Sequence, residues 1–265
     1  MTNEDVHISA KWSSKKVDEV FKVGNAFYSS FDEAVRNANN GQKPILLVEN
    51  LEQGLSLTSI SNVVACLDLN GYSIGNPTNE LDCAIVVSNS TLKISDDKSG
   101  AVYGQIKLRN NASLSLEGGR FVCSSNCVVS ADGDGYTFVA NEVEIVGGAS
   151  ETGGVLEFYG NTNNLACISN STISSVSKDV DLSVGVTICG CEVELANTEV
   201  TAIGKGVDII SCCNPSAIVD TTNALYIVAG SKIAARYGIF ADPSYIYVQG
   251  STVEAKDVGG YAFFL

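Results

Sequence analysis

The sequence has one histidine and four prolines in 265 residues, and no Cys-x-x-Cys pair among its nine cysteines. The lone histidine, His7, leaves few nitrogen ligands with which to complete a metal site. The cysteines are odd in number and lack zinc-ribbon spacing, so neither a small disulfide framework nor a structural zinc is expected. They read as small, reduced core residues with no metal, no cofactor and no obligatory disulfide, as in a reducing compartment or an anaerobic source. Cys212 and Cys213 are neighbours on the chain, so at most one of them faces a core. No apolar run reaches bilayer-spanning length, and MTNEDVHISAKW has neither the basic start nor the apolar stretch of a secretory signal. Cytoplasmic synthesis without a signal peptide is the expectation, with a virion as destination, or a cell surface if the chain is a piece of a longer exported protein.

Cations are also scarce. Sixteen Lys and Arg stand against thirty Asp and Glu, a formal charge of −14 that repels phosphate backbones and anionic lipid surfaces. Nucleic acid and membrane insertion are therefore not expected, and the acids are too scattered for a nucleic-acid mimic. Glycosylation-like triplets at Asn89, Asn111 and Asn170 carry little meaning in a chain without a secretory signal, because asparagine-rich corners produce them freely.

What is abundant is repetition. Leu69, Ile94, Leu116, Ile145, Ile168, Leu195, Val228 and Val248 are each followed, two residues on, by Gly, Asn or Asp, types that tolerate left-handed backbone at a corner. Two residues before these anchors stand Leu67, Leu92, Leu114, Val143, Ala166, Val193, Tyr226 and Ile246, the alternation of a strand. Five residues after most of them stand Ile74, Phe121, Ile173, Val200, Ile233 and Val253. With Leu47 as a further anchor, the pattern predicts a solenoid of about nine coils of unequal length. Stacked inward residues replace a conventional core, and proline is rare because it would delete a ladder hydrogen bond.

The fold class is thus all-β, a single right-handed parallel β-helix over residues 44–265, with residues 1–43 supplying an N-terminal segment, a hairpin and a capping helix. EVFKVGNAFY reads as a hairpin turning at Gly24-Asn25. In YSSFDEAVRNANNG, Ser30 and Glu33 form a capping box, Phe31, Ala34, Val35 and Ala38 make one apolar face, and Gly41 ends the helix. YAFFL is too apolar for a free tail and is expected to fold over the last coil or to dock on a partner.

The run FKVGNAFYSSFDEAVRNANNGQKPILLVENL followed by LDLNGYSI resembles the opening of right-handed parallel β-helix proteins of the pectin-lyase-like group, in particular their surface and phage branch. The resemblance covers residues 20–76 as sequence and the remainder as periodicity. It implies a fold that serves polysaccharide lyases, hydrolases, tailspikes and adhesins alike. Hydrolases of the group place a Gly-His-Gly on a coil, which a sequence whose only histidine is His7 cannot supply. Lyases of the group place stacked acids beside a base on neighbouring rungs. The outward positions before the anchors are Asp68, Lys93, Ser115, Glu144, Cys167, Glu194, Ile227 and Tyr247, in which no two acids adjoin. Asp68 is therefore read as a solvated side chain between two buried leucines. Asp132 and Asp134 in ADGDGYTF are spaced like the first ligands of a calcium loop, but position 143 is Val143, so a glycine-rich turn between strands is expected.

Two functional classes remain. The first is a non-enzymatic structural or recognition rod, with no catalytic residues and no metal, whose binding face uses the outward rings of Tyr245 and Tyr247, joined by Tyr237. Its partner would be a glycan or a protein, and by analogy with viral β-helix rods a homo-oligomer, a trimer, is expected. The second is a polysaccharide lyase or hydrolase with an unrecognised site.

Overall fold

The computed structural model describes residues 18–148, 153–160, 163–210, 223–241, 244–257 and 259–264. His7, Cys212 and Cys213 lie outside these residues, as does the middle of the GGASETGG insertion.

The residues expected to coil do so. Nine parallel strands follow one another on one face, here face A: Ile45–Leu47, Val64–Asp68, Thr91–Ser95, Ser113–Glu117, Thr137–Asn141, Leu165–Ser169, Glu192–Ala196, Ala224–Val228 and Tyr245–Val248. After each strand the chain turns a corner onto face B, with rungs such as Arg120–Cys123 and Thr252–Ala255. It then turns onto face C, with rungs from Leu55–Leu57 to Tyr261–Phe264, before returning to face A one coil on. Ala101–Arg109 runs through the corner between faces B and C without a break and pairs on both. The protein is an all-β parallel β-helix, with nine coils among the described residues.

The inward columns carry the stability. On face A, Leu92, Leu114, Phe138, Ala166, Val193 and Leu225 are in register and fully buried. Burying a large side chain of this kind contributes about 1.5–3 kcal/mol. On face B the column is Ile74, Val102, Phe121, Ile145, Ile173, Val200, Ile233 and Val253, which includes every residue expected five positions after an anchor.

That column also corrects the anchors. Ile145 belongs to face B, and its coil's face A residue is Ala140, paired with Leu116 and Ile168. Leu67, not Leu69, pairs with Ile94, and Ile45, not Leu47, pairs with Leu67. In the eighth coil Ile227, not Val228, pairs with Leu195 and Val248. Leu69 is nevertheless buried, because the chain has not yet completed its corner there.

At the N-terminal side, Phe21–Val23 and Ala26–Tyr28 form the expected hairpin, with Gly24 at φ +59° in the first turn position, and the hairpin pairs antiparallel to Ile45–Leu47. The helix Phe31–Asn37 buries Phe31, Ala34 and Val35, and Phe31 packs on Phe21 with ring centroids 5.5 Å apart. Two details differ from expectation. Ser30 is the N-cap, but its hydroxyl makes no capping bond, so the box with Glu33 is not formed. The helix stops before Gly41, because Asn39 and Asn40 already take left-handed geometry at φ 52° and 51°.

The other end differs more. Tyr261–Phe264 does not fold across the last coil; it pairs parallel with Tyr237–Ala241 as the face C rung of the ninth coil.

Candidate functional site

Strand alternation places Tyr245 and Tyr247 outward on face A, as expected, with 55% and 39% of their surface exposed. Their neighbour one rung back is Tyr226, whose ring centroid lies 5.7 Å from Tyr245 and 6.2 Å from Tyr247. Partial desolvation pushes the Tyr226 hydroxyl above its ordinary range, and Glu192 on the next rung back adds to this. The misplaced anchor at Val228 hid Tyr226 from sequence reasoning by putting Ile227 on the outside. The outward column is Cys66, Lys93, Ser115, Val139, Cys167, Glu194, Tyr226 and Tyr247.

Tyr237 does not join this cluster. It sits on face C, where its ring stacks on Tyr261 at 6.3 Å and 10°. Beside this pair Phe240 stacks on Phe264 at 4.8 Å and 5°, and the Lys205 ammonium lies 4.2 Å from the centre of the Phe240 ring.

Acids gather where the sequence columns missed them. The corner between faces A and B over the second to fifth coils forms an open groove of about 420 Å³ lined by Asp68, Asp96, Asp97, Glu117 and Glu142. Register explains it: Asp68, Ser95, Glu117 and Asn141 are one column, and each of these coils contributes an acid to it or to the next position. Two of the acids have backbone duties. Asp68 accepts from the Asn70 N–H at 2.7 Å, and Asp96 accepts from Gly71 at 2.8 Å and Gly100 at 2.7 Å. The Lys98 ammonium reaches Asn70 at the same corner. Among the described residues no group of three or more His, Cys, Asp or Glu is arranged to hold a metal ion.

A second polar strip runs along the outer side of face C. Glu157, Thr187 and Asp208 are successive rungs of one outward column and expose only 5%, 1% and 8% of their surface. Glycine backbone covers part of it, since a Cβ on Gly153 would fall 2.3 Å from a Glu157 carboxylate oxygen. The Lys205 ammonium binds Asp208 Oδ2 at 2.6 Å, whereas Asp208 Oδ1 and Thr187 Oγ1 have no hydrogen-bond partner among the described residues. Beside the strip, Gln105 Nε2 donates to Cys127 Sγ, and burial together with Glu157 pushes that thiol up to about 12.

Cysteine corrects one expectation. Cys66, Cys83, Cys123, Cys127, Cys167 and Cys191 are free thiols, but Cys189 is disulfide-bonded. The spacing argument ruled out a framework of bridges. Spacing speaks to a framework of bridges and leaves a single one open.

Searches against family models, curated proteins and solved structures return no match to this chain. Among the described residues no helix is long and apolar enough to cross a membrane.

Proposed function

We propose that the chain is a non-enzymatic recognition rod of the pectin-lyase-like kind, carried on a virion or a cell surface, whose contact face is the outer side of face A over the eighth and ninth coils. The observation that supports this is the outward cluster of Tyr226, Tyr245 and Tyr247 on a rigid parallel sheet. The apolar face of a sugar stacks on such rings, and their hydroxyls and the exposed carboxylates of Glu192 and Glu194 meet its polar edge. A protein surface would bury the same rings as anchors. The test replaces Tyr245 and Tyr247 together by serine, then measures thermal stability and binding to a glycan panel. Lost binding at unchanged stability supports the reading. Lost stability without any glycan binding by the parent protein would show that the rings only pack.

The enzymatic alternative rests on Glu157 and Asp208. Two rungs separate them, about 10 Å between backbones, compatible with a carboxylate pair working across an intervening water. Their burial keeps a polymer away from them, which is why the rod reading leads. Cleavage of an acidic polysaccharide by the parent protein, lost in Glu157→Gln and Asp208→Asn, would reverse that order.

A further inference from the structure

We propose that Gln105 and Cys127 are the two halves of an intramolecular thioester, a covalent bond between the third and fourth coils that a primary amine opens. Gln105 stands at the corner between faces B and C, within Ala101–Arg109, and Cys127 stands at the same corner one coil on. Coiling brings their side chains together across 22 residues of sequence, with Gln105 Nε2 2.6 Å from Cys127 Sγ. Typical N–H···O bonds span about 2.7–3.2 Å, and this contact is closer although sulfur is the larger atom. The amide carbon Cδ is one bond of about 1.3 Å from Nε2, which puts the sulfur within about 4 Å of it. Reacting atoms in productive complexes stand about 3–3.5 Å apart, a separation that a small rotation of the Gln105 amide reaches.

The surroundings are those of a reaction rather than of a plain hydrogen bond. Cys83 and Cys191 hydrogen-bond to backbone carbonyls, the ordinary partners of a buried thiol. Cys127 instead lies between a carboxamide and a carboxylate, since Glu157 of the fifth coil hydrogen-bonds to the same sulfur. Gln105 and Cys127 expose only 6% and 1% of their surface, so water is kept from both.

The structure shows the pair before the bond forms, with Cys127 as a free thiol. In the step, Cys127 Sγ attacks Gln105 Cδ while Glu157 takes the thiol proton. The tetrahedral adduct then breaks its Cδ–Nε2 bond, and Nε2 recovers that proton from Glu157 and leaves as ammonia. No oxidant or reductant enters. A thioester lies uphill of a primary amide in water, but proximity equivalent to roughly 10⁵–10⁸ M and loss of ammonia to dilute solution draw the exchange forward. The product is an acylating centre, adjoined by the exposed turn at Ser124 and Ser125. A primary amine that reaches Cδ becomes amide-linked to Gln105 and returns the thiol to Cys127. The rod thereby gains a covalent means of attachment that does not involve the tyrosine face.

Intact mass tests this. The parent protein, reduced with a phosphine and denatured at low pH, should weigh less than its sequence by one ammonia. Peptic digestion should yield a linked peptide containing Gln105 and Cys127. Methylamine should remove the link, leave a methylamide on Gln105 and free one thiol that the phosphine alone does not; only this opened form titrates at Cys127. Cys127→Ala and Gln105→Leu should each have the full sequence mass, and Glu157→Gln should lower the linked fraction of freshly purified protein at least about tenfold. A parent protein at full sequence mass, with Cys127 alkylated completely in denaturant, would overturn the proposal, as would an ammonia deficit that maps to other residues. Both of these readings use the unmodified chain, so a variant that fails to fold leaves the question decided.

Discussion

Asn170 donates from its side-chain amide to Oδ1 of Asn141 on the preceding coil at 2.8 Å, at the corner between faces A and B. Its own Oδ1 accepts from Asn197 on the next coil, also at 2.8 Å, and its backbone sits at φ +50°. Asn170→Ala removes both bonds and replaces a residue type that tolerates left-handed geometry by one that does so poorly, so a loss of about 2–3 kcal/mol is expected in urea unfolding. Asn170→Gly removes the same bonds without the steric penalty and should lose less. Equal losses would mean that the backbone is not strained at this corner.

Leu116 and Val248 occupy the same inward column of face A but differ in burial, 0% against 37%. Leu116→Ala should cost about 2–5 kcal/mol, as for other large-to-small core changes. Val248→Ala should cost under about 1 kcal/mol. Similar costs would show that the ninth coil is covered in solution.

Gly185, Gly206 and Gly238 stack at the corner between faces B and C. A Cβ on Gly206 would lie 2.3 Å from the Ile233 side chain and 2.6 Å from the Gly238 carbonyl oxygen. Gly206→Ala therefore forces two coils apart and should destabilise by about 1–3 kcal/mol. An unchanged melting temperature would exclude this packing.

Burial raises the Cys127 and Cys191 thiols from 9.0 to about 12. Both are neutral in the folded and unfolded chain at pH 7. Above pH 9 the unfolded chain loses these protons first and so binds fewer than the folded one, and stability falls as pH rises towards 12. Urea midpoints should be lower at pH 10 than at pH 7.5, and a Cys127→Ala, Cys191→Ala double variant should show a shallower decline. An unaltered slope in that variant would count against the buried thiols as its source.

The Cys189 disulfide predicts that denaturation without reductant exposes fewer than nine reactive thiols, and that reductant lowers the melting temperature. A full count of nine would remove the bridge.

Much of the fold was legible because the interior of a parallel coil is a column of like residues. Ile74, Phe121, Ile173, Val200, Ile233 and Val253 could be aligned without any coordinates, and they are one face B column. Face A was harder. Ala140 is small and followed by Asn141 and Glu142, so Ile145, five residues on and followed by a glycine pair, looked the better anchor. A one-residue slip at Val228 reversed inside and outside for its whole strand, which is why Tyr226 was missed. The acids at Asp96, Glu117 and Glu142 did not line up because they stand one or two residues after the inward positions, whereas the outward column read from the sequence stands before the anchors. Tyr245 and Tyr247 were placed correctly because Ile246 and Val248 alternate with them without interruption. Tyr237 was not, since the turn onto the next coil takes the chain from face C to face A between it and Tyr245.

The register of face A also sets the order in which the chain can fold. Ile45, Leu67, Ile94, Leu116, Ala140, Ile168, Leu195, Ile227 and Val248 pair only with their neighbours in this series, across separations of 21 to 32 residues. Each added coil closes a loop of similar entropy on a template already made. Assembly is then a zipper, and the coil under the helix Phe31–Asn37, covered from both sides, is its best starting point. Amide hydrogens should exchange slowest there and progressively faster toward Tyr245–Val248, so that the rod loses its coils in order rather than all at once.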